Sequence, residues 1–196
     1  MSIDGYYEGD DGNVHSIWKY LHPAYYDDIS FHQFNVKRLQ SSGTILFGRK
    51  TYSGFPEHWK SVLEDEKASE IDLELAKLIV PMDKVVVSSS LQDGDLDPDD
   101  HTTIISPVDL DTKIMELKKQ PGNDILVFGS RQLWQDLLNR GLVDELHLTV
   151  APVIAGSGTP LFDRQPVVSL LKINTEIHQG NVIISYAFEE PSKQDN

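Results

Sequence analysis

Three short segments of this sequence place a glycine or a run of hydroxyls directly after an apolar, β-branched stretch, where a backbone can approach an anion. In Phe47-Gly48-Arg49-Lys50-Thr51-Tyr52 the glycine admits close approach and the next N–H groups open a helix. Arg49 can then fork onto a terminal phosphate. In Val87-Ser88-Ser89-Ser90 the hydroxyls fall at a strand's carboxyl end, the edge where open α/β sheets bind ligands. In Val127-Phe128-Gly129-Ser130-Arg131-Gln132-Leu133 a strand again gives way to glycine and a helix start, a cradle of N–H groups for a pyrophosphate. Each segment alone is also an ordinary turn: two solvated cations, loop-starting serines, a tight corner. Jointly they carry more. Parallel strands set their carboxyl ends on one edge, so all three can face one crevice and form a nucleotide site. The spacing is not the G-x-G-x-x-G fingerprint of dinucleotide-binding Rossmann folds.

The elements that must position these segments are legible in the hydrophobic pattern. Strands are expected over 44–47, 84–87, 102–105 and 125–128. Helices are expected over 29–40, 71–80, 110–118 and 132–139, with Pro81 stopping the second. Strand and helix taking turns implies a largely parallel sheet with helices on both faces. The last third reads differently: 145–150 alternates, and 172–177 meets 181–188 across Gln179-Gly180, a hairpin that closes the sheet with an antiparallel edge. The Asp-rich stretch 92–100 reads as a solvated loop. Residues 1–190 read as one domain and 191–196 as a flexible tail.

Composition narrows the chemistry. The absence of cysteine excludes disulfides, Cys-ligated zinc, iron–sulfur clusters and thiol catalysis. The seven histidines are scattered with no i, i+4 pair among acids, so no metal site is expected. A net charge of −14 argues against a nucleic-acid partner and requires any phosphorylated ligand to be held by a local site. Met1-Ser2-Ile3-Asp4-Gly5 is neither basic nor apolar, so no signal peptide is expected, and no run of 18 apolar residues predicts a membrane span. A reducing cytoplasm is the default location. Trp59 and Trp134 read as core or rim packing.

Gly48-Arg49-Lys50-Thr51-Tyr52 resembles the dihydrofolate reductase segment that opens the adenylate-binding helix, and Val85-Val86-Val87-Ser88-Ser89 resembles its 2′-phosphate strand. Gly129-Ser130 falls where those enzymes carry a Gly-Gly pair. Ser2-Ile3-Asp4-Gly5-Tyr6, Leu142-Val143-Asp144-Glu145-Leu146 and the run from Pro152 to Phe162 are similar to stand-alone relatives of the riboflavin-biosynthesis reductase domain. The resemblance implies an α/β fold of the dihydrofolate-reductase-like kind, a three-layer sandwich whose mixed, mostly parallel sheet is closed by the C-terminal hairpin. It implies an NADPH-dependent reductase of a small polar heterocycle or ribosylamino-pyrimidine, working as a homodimer. Carried over, Arg49, Ser88 and Ser89 would hold the 2′-phosphate. Backbone at Gly48, Lys50, Thr51, Gly129, Ser130, Arg131 and Gln132 would hold the pyrophosphate. Asp4, Gly158 and Phe162 would lie at the substrate end, with Asp4 or an ordered water delivering the proton.

Departures from the family pattern carry their own expectations. The strand that precedes Ser-Ile-Asp-Gly in the family is represented only by Met1, so another segment would have to fill its slot. The family's unusual cis peptide would fall at Gly129-Ser130, at a cost of about 3 kcal/mol. The pterin-binding carboxylate of dihydrofolate reductases would fall near His32, which argues against folate reduction. The other alternative is a homologue that binds nucleotide without catalysis.

Overall fold

The computed structural model describes residues 1–163 and 167–188. Along the chain run β1 (Tyr6–Glu8), α1 (His15–Trp18), α2 (Ser30–Gln40), β2 (Ser42–Gly48), α3 (Arg49–Tyr52), α4 (Phe55–Glu64) and α5 (Glu70–Ile79). Then follow β3 (Asp83–Val87), β4 (Thr102–Ile105), α6 (Leu110–Lys119), β5 (Asp124–Val127) and α7 (Arg131–Asn139). The chain continues through β6 (Glu145–Val150), β7 (Thr159–Pro160), β8 (Leu170–Ile177) and β9 (Val182–Phe188). Contacts divide it into two compact units: His32–Leu142, and Met1–Phe31 with the chain from Val143 onward.

The continuous unit is a four-stranded sheet in the order β4-β3-β2-β5, every neighbouring pair parallel. Its central strand explains the apolar run: Ile45, Leu46 and Phe47 are each 0% exposed, as a strand covered on both faces requires. Val36, Leu39, Tyr52, Leu75, Ile79 and Val86 pack around Ile45 and Phe47, and Trp59 packs against them as expected. Each such side chain contributes on the order of 1.5–3 kcal/mol by leaving water. Helix α5 starts at Ser69, whose hydroxyl accepts the Asp72 N–H at 3.2 Å. Helix α4 was not expected from the sequence. It begins at left-handed Gly54 (φ 80°) with a proline in its first turn, a start that the apolar spacing does not announce.

The Asp-rich stretch corrects one expectation. It forms two short 3-10 turns, and Asp100 is only 3% exposed. The Lys60 ammonium lies 2.5 Å from its carboxylate, and the Tyr52 hydroxyl donates to it at 3.4 Å. Beside it Lys84, 2% exposed, donates from Nζ to the carbonyls of Val80 (3.0 Å), Met82 (2.8 Å) and Asp100 (3.2 Å). Burial pushes the Lys84 pKa down.

The discontinuous unit holds two antiparallel sheets, β1-β7 and β6-β9-β8. The hairpin is as expected: β8 pairs with β9 from Leu170↔Phe188 to Ile177↔Val182. Parallel and antiparallel strands form separate hydrogen-bonded sheets rather than one, because β9 takes β6 and β8 as its neighbours. The segment at the chain start runs beside the end of β6. The Met1 amine donates to the Thr149 carbonyl at 2.7 Å, the Ala151 N–H to the Met1 carbonyl at 2.8 Å, and the Ile3 N–H to the Val153 carbonyl at 2.8 Å. A small core of Ile17, Ala151 and Val153 lies beneath Tyr6, Trp18 and Leu21. The expected tail 191–196 lies outside the described residues. The α/β class, with a parallel sheet and an antiparallel C-terminal hairpin, is the one the sequence predicts.

Candidate functional site

The three segments singled out by chemistry all belong to the continuous unit, and the sheet explains how they meet. Because β3, β2 and β5 are adjacent and parallel, their carboxyl ends leave the sheet on one edge. Gly48 pairs with Val87 in register, so the loop after residue 48 starts beside the loop after residue 87. On the other side, the Gly48 N–H donates to the Ser130 hydroxyl at 2.9 Å, which joins the first and third segments directly.

Each predicted residue has a definite place. Gly48 ends β2, and Arg49, Lys50 and Thr51 form the short helix α3. Arg49 and Lys50 are exposed and make no ion pair among the described residues, unlike Arg38, Lys60 and Arg140. In a chain of net charge −14, two cations left unmatched at the carboxyl edge of a parallel sheet could hold an anion. Ser89 is exposed, but Ser88 is 8% exposed and its hydroxyl accepts the N–H groups of Ser90 (3.1 Å) and Leu91 (3.0 Å). Ser88 therefore spends its oxygen on closing the turn, and Ser89 is the hydroxyl left for a ligand.

Gly129 and Ser130 are both left-handed, at φ 56° and φ 51°, and the described residues contain no cis peptide bond. The cis link expected at Gly129-Ser130 is thus absent, and two positive φ values make the corner instead. Serine is a common helix cap, yet Ser130 does not cap α7 with its side chain. A left-handed residue followed by a right-handed helical one turns successive N–H groups toward one side, a backbone geometry that could receive an anion at the start of α7.

Asp4, Gly158 and Phe162 belong to the discontinuous unit. Both carboxylate oxygens of Asp4 are engaged, Oδ1 by the Ala155 N–H at 3.0 Å and Oδ2 by the Gly156 N–H at 2.8 Å. The Ala155 N–H foremost, then the Ser2 hydroxyl, holds the Asp4 pKa down to about 2. An acid that stays ionised at neutral pH and is bonded through both oxygens positions a turn; it is a poor proton donor. Gly158 (φ 133°) brings that turn against the Glu8 carbonyl, Leu161 donates its N–H to the Gly5 carbonyl at 2.8 Å, and Phe162 is 44% exposed.

Comparison with known proteins bears on this arrangement. The family model described as the RibD C-terminal domain matches residues 1–183. The chain belongs to the RibD C-terminal domain family. Its relatives include the uncharacterized protein YyaP of Bacillus subtilis, 30% identical over 184 residues that cover 93% of this chain and 88% of that one. RibD of Acinetobacter baumannii has the same fold, with a TM-score of 0.65 at 16% identity over 96% of this chain and 55% of that one. So has the diaminohydroxyphosphoribosylaminopyrimidine deaminase/5-amino-6-(5-phosphoribosylamino)uracil reductase of Thermotoga maritima, at 14% identity and a TM-score of 0.60 over 96% and 54%.

Two features, one in each unit, escaped sequence reasoning. The Gly48–Ser130 bond spans 82 residues and has no local signature. The double engagement of Asp4 spans 151 and 152 residues, although the match around Pro152–Phe162 already pointed at that turn.

Proposed function

We propose that this chain is an NADPH-dependent reductase of a small polar heterocycle or ribosylaminopyrimidine-like substrate. The observation that supports it most is the shared edge: exposed, unmatched Arg49 and Lys50, exposed Ser89, and the Gly129–Gln132 corner at adjacent strand ends. Arg49 and Ser89 would take the 2′-phosphate, with Ser88 fixing the loop that carries Ser89. The N–H groups of Ser130, Arg131 and Gln132 would take the pyrophosphate. Bound NADPH would supply the hydride for a C=N or C=O carbon. The chain's residues bind and orient, and the proton that balances the transfer comes from water, since Asp4 is held ionised. Titration with NADPH and NADH, followed by tryptophan quenching, tests the reading. NADPH should bind more tightly than NADH, and Arg49→Ala should lose about tenfold, ~1.4 kcal/mol. Binding of neither cofactor removes the claim, whereas binding without turnover of any such substrate favours the non-catalytic homologue.

A homodimer forms part of the same proposal. In the β6-β9-β8 register, Leu146, Leu148, Ile184, Tyr186, Leu170 and Ile177 share one sheet face, and no acid lies on it. Residues of β9 on that face stay half-buried, while Ile183 and Ser185 on the opposite face are buried. Two copies carrying −14 each can approach most cheaply where no carboxylate intervenes, so this face is offered to a second copy. Ile177 is 81% exposed, so Ile177→Asp leaves the fold intact and should convert a dimer to a monomer in light scattering. A wild-type protein of monomer mass removes this part.

A further inference from the structure

The sequence contains three Asp-Gly pairs, Asp4-Gly5, Asp11-Gly12 and Asp93-Gly94, and no Asn-Gly pair. Such a pair carries a latent reaction, because glycine offers a backbone N–H unshielded by any side chain next to a carboxyl. The fold treats the three differently. At Asp4-Gly5 both carboxylate oxygens are held by the Ala155 and Gly156 N–H groups, and the Gly5 N–H donates to the Ser2 carbonyl at 3.2 Å. At Asp11-Gly12 the Ser16 hydroxyl donates to the carboxylate, 2.6 Å from Oδ2, and the Asn13 N–H donates to Oδ1 at 3.1 Å. The Gly12 N–H donates to the Gly9 carbonyl at 3.0 Å. The Ala155 N–H at Asp4 and the Ser16 hydroxyl at Asp11 hold both carboxyls below the usual carboxylate range. Asp93 and Gly94 instead stand exposed in the first 3-10 turn of the Asp-rich stretch, Asp93–Asp95. Neighbouring groups close that turn: the Asp95 N–H donates to the Gln92 carbonyl at 2.8 Å, and the Leu96 N–H to the Asp93 carbonyl at 3.2 Å. Neither the Asp93 carboxylate nor the Gly94 N–H has a partner among the described residues.

We infer that Asp93 is a self-modification site, where the Gly94 nitrogen attacks the Asp93 side-chain carboxyl and the chain isomerises to a β-linked aspartate. The attack joins the Gly94 nitrogen to Asp93 Cγ, and the N–H proton leaves with the carboxyl hydroxyl as water. A second water opens the cyclic imide at the α-carbonyl. Its hydroxyl completes a new carboxyl there, its proton returns to the nitrogen, and the main chain now runs through the side-chain carbonyl. No oxidant, reductant or other reactant is needed. Asp4 and Asp11 must first give up hydrogen bonds at both reacting groups, which slows them by about tenfold or more. Leu91 and Leu96, packed against the core on either side of the turn, confine the change to the exposed residues between them. The modification is independent of nucleotide binding.

Ageing the intact protein at neutral pH is the test, with β-linked aspartate counted by enzymatic methylation from S-adenosylmethionine and located by mass spectrometry of peptides. Folded protein should accumulate it at Asp93 about tenfold faster than at Asp4 or Asp11, whereas urea-unfolded protein should age at comparable rates at all three. Gly94→Ala should suppress the Asp93 product at an unchanged unfolding midpoint, because the added methyl group meets nothing within 4 Å and Gly94 does not have a positive φ. Asp4 or Asp11 ageing as fast as Asp93 in the folded protein overturns the inference. So does an Asp93 that stays intact in the folded protein and isomerises only in urea.

Discussion

Replacing Lys84 with methionine is expected to cost the fold about 3 kcal/mol, measured as the fall in unfolding free energy in urea. The stem of the side chain is kept, so the loss isolates the ammonium. That ammonium gathers the carbonyls of Val80, Met82 and Asp100 within 3.2 Å, closing the turn after α5 and the turn before β4 around the start of β3. Methionine takes the Lys84 donor from the Val80 and Met82 carbonyls, leaves the Asp100 carbonyl to the Thr102 hydroxyl alone, and removes a cation from beside the buried Asp100 carboxylate. Lys60→Met is the control. Its ammonium is about one-third exposed, so water replaces part of what it gives and the loss should be near 1 kcal/mol. Equal losses for the two lysines would show that burial of Lys84 adds nothing. Because β3 ends at Val87, the variant should also weaken NADPH binding through the Ser88–Ser89 loop.

Gly158→Ala should destabilise the protein by about 3 kcal/mol or more, while Gly156→Ala costs about 1 kcal/mol. Both glycines have positive φ, 133° and 74°. They differ in what a methyl group meets: at Gly158 it would stand 2.2 Å from the Glu8 carbonyl oxygen, and at Gly156 nothing lies within 4 Å. The clash is with backbone and cannot be relieved by a rotamer change, so β7 must move off β1, where Thr159 pairs with Glu8. Denaturant midpoints of the two variants decide the point; a Gly158→Ala protein as stable as Gly156→Ala would mean that the turn relaxes freely.

The parallel sheet was legible because its strands are apolar on both faces and its helices show regular spacing. Strand 102–105 matches the observed Thr102–Ile105, and β3 and β5 differ from expectation by one residue at their ends. What the sequence hid depends on distance. Asp100 looks like one acid among many, and only Lys60, Lys84 and Tyr52, brought from other elements, make it a buried anchor. Ser88 and Ser89 are indistinguishable by type, yet the backbone turns one hydroxyl inward onto Ser90 and Leu91 and leaves the other outside. Strand β1 is three residues long, and its pairing with β7 skips a residue, so it offers no periodicity to read.

The division of the chain into a continuous unit over 32–142 and a discontinuous one has a consequence for biogenesis. During synthesis the parallel sheet and the loops at its carboxyl edge can be assembled as soon as residue 142 is available, whereas residues 1–31 must wait for their partners from 143 onward. The Met1–Thr149 and Asp4–Gly156 bonds, spanning 148 and 152 residues, are the slowest kind to close. The nascent chain can therefore close the loops after residues 48, 87 and 129 before the turn fixed by Asp4 exists, and the order of translation sets the order in which the two units form.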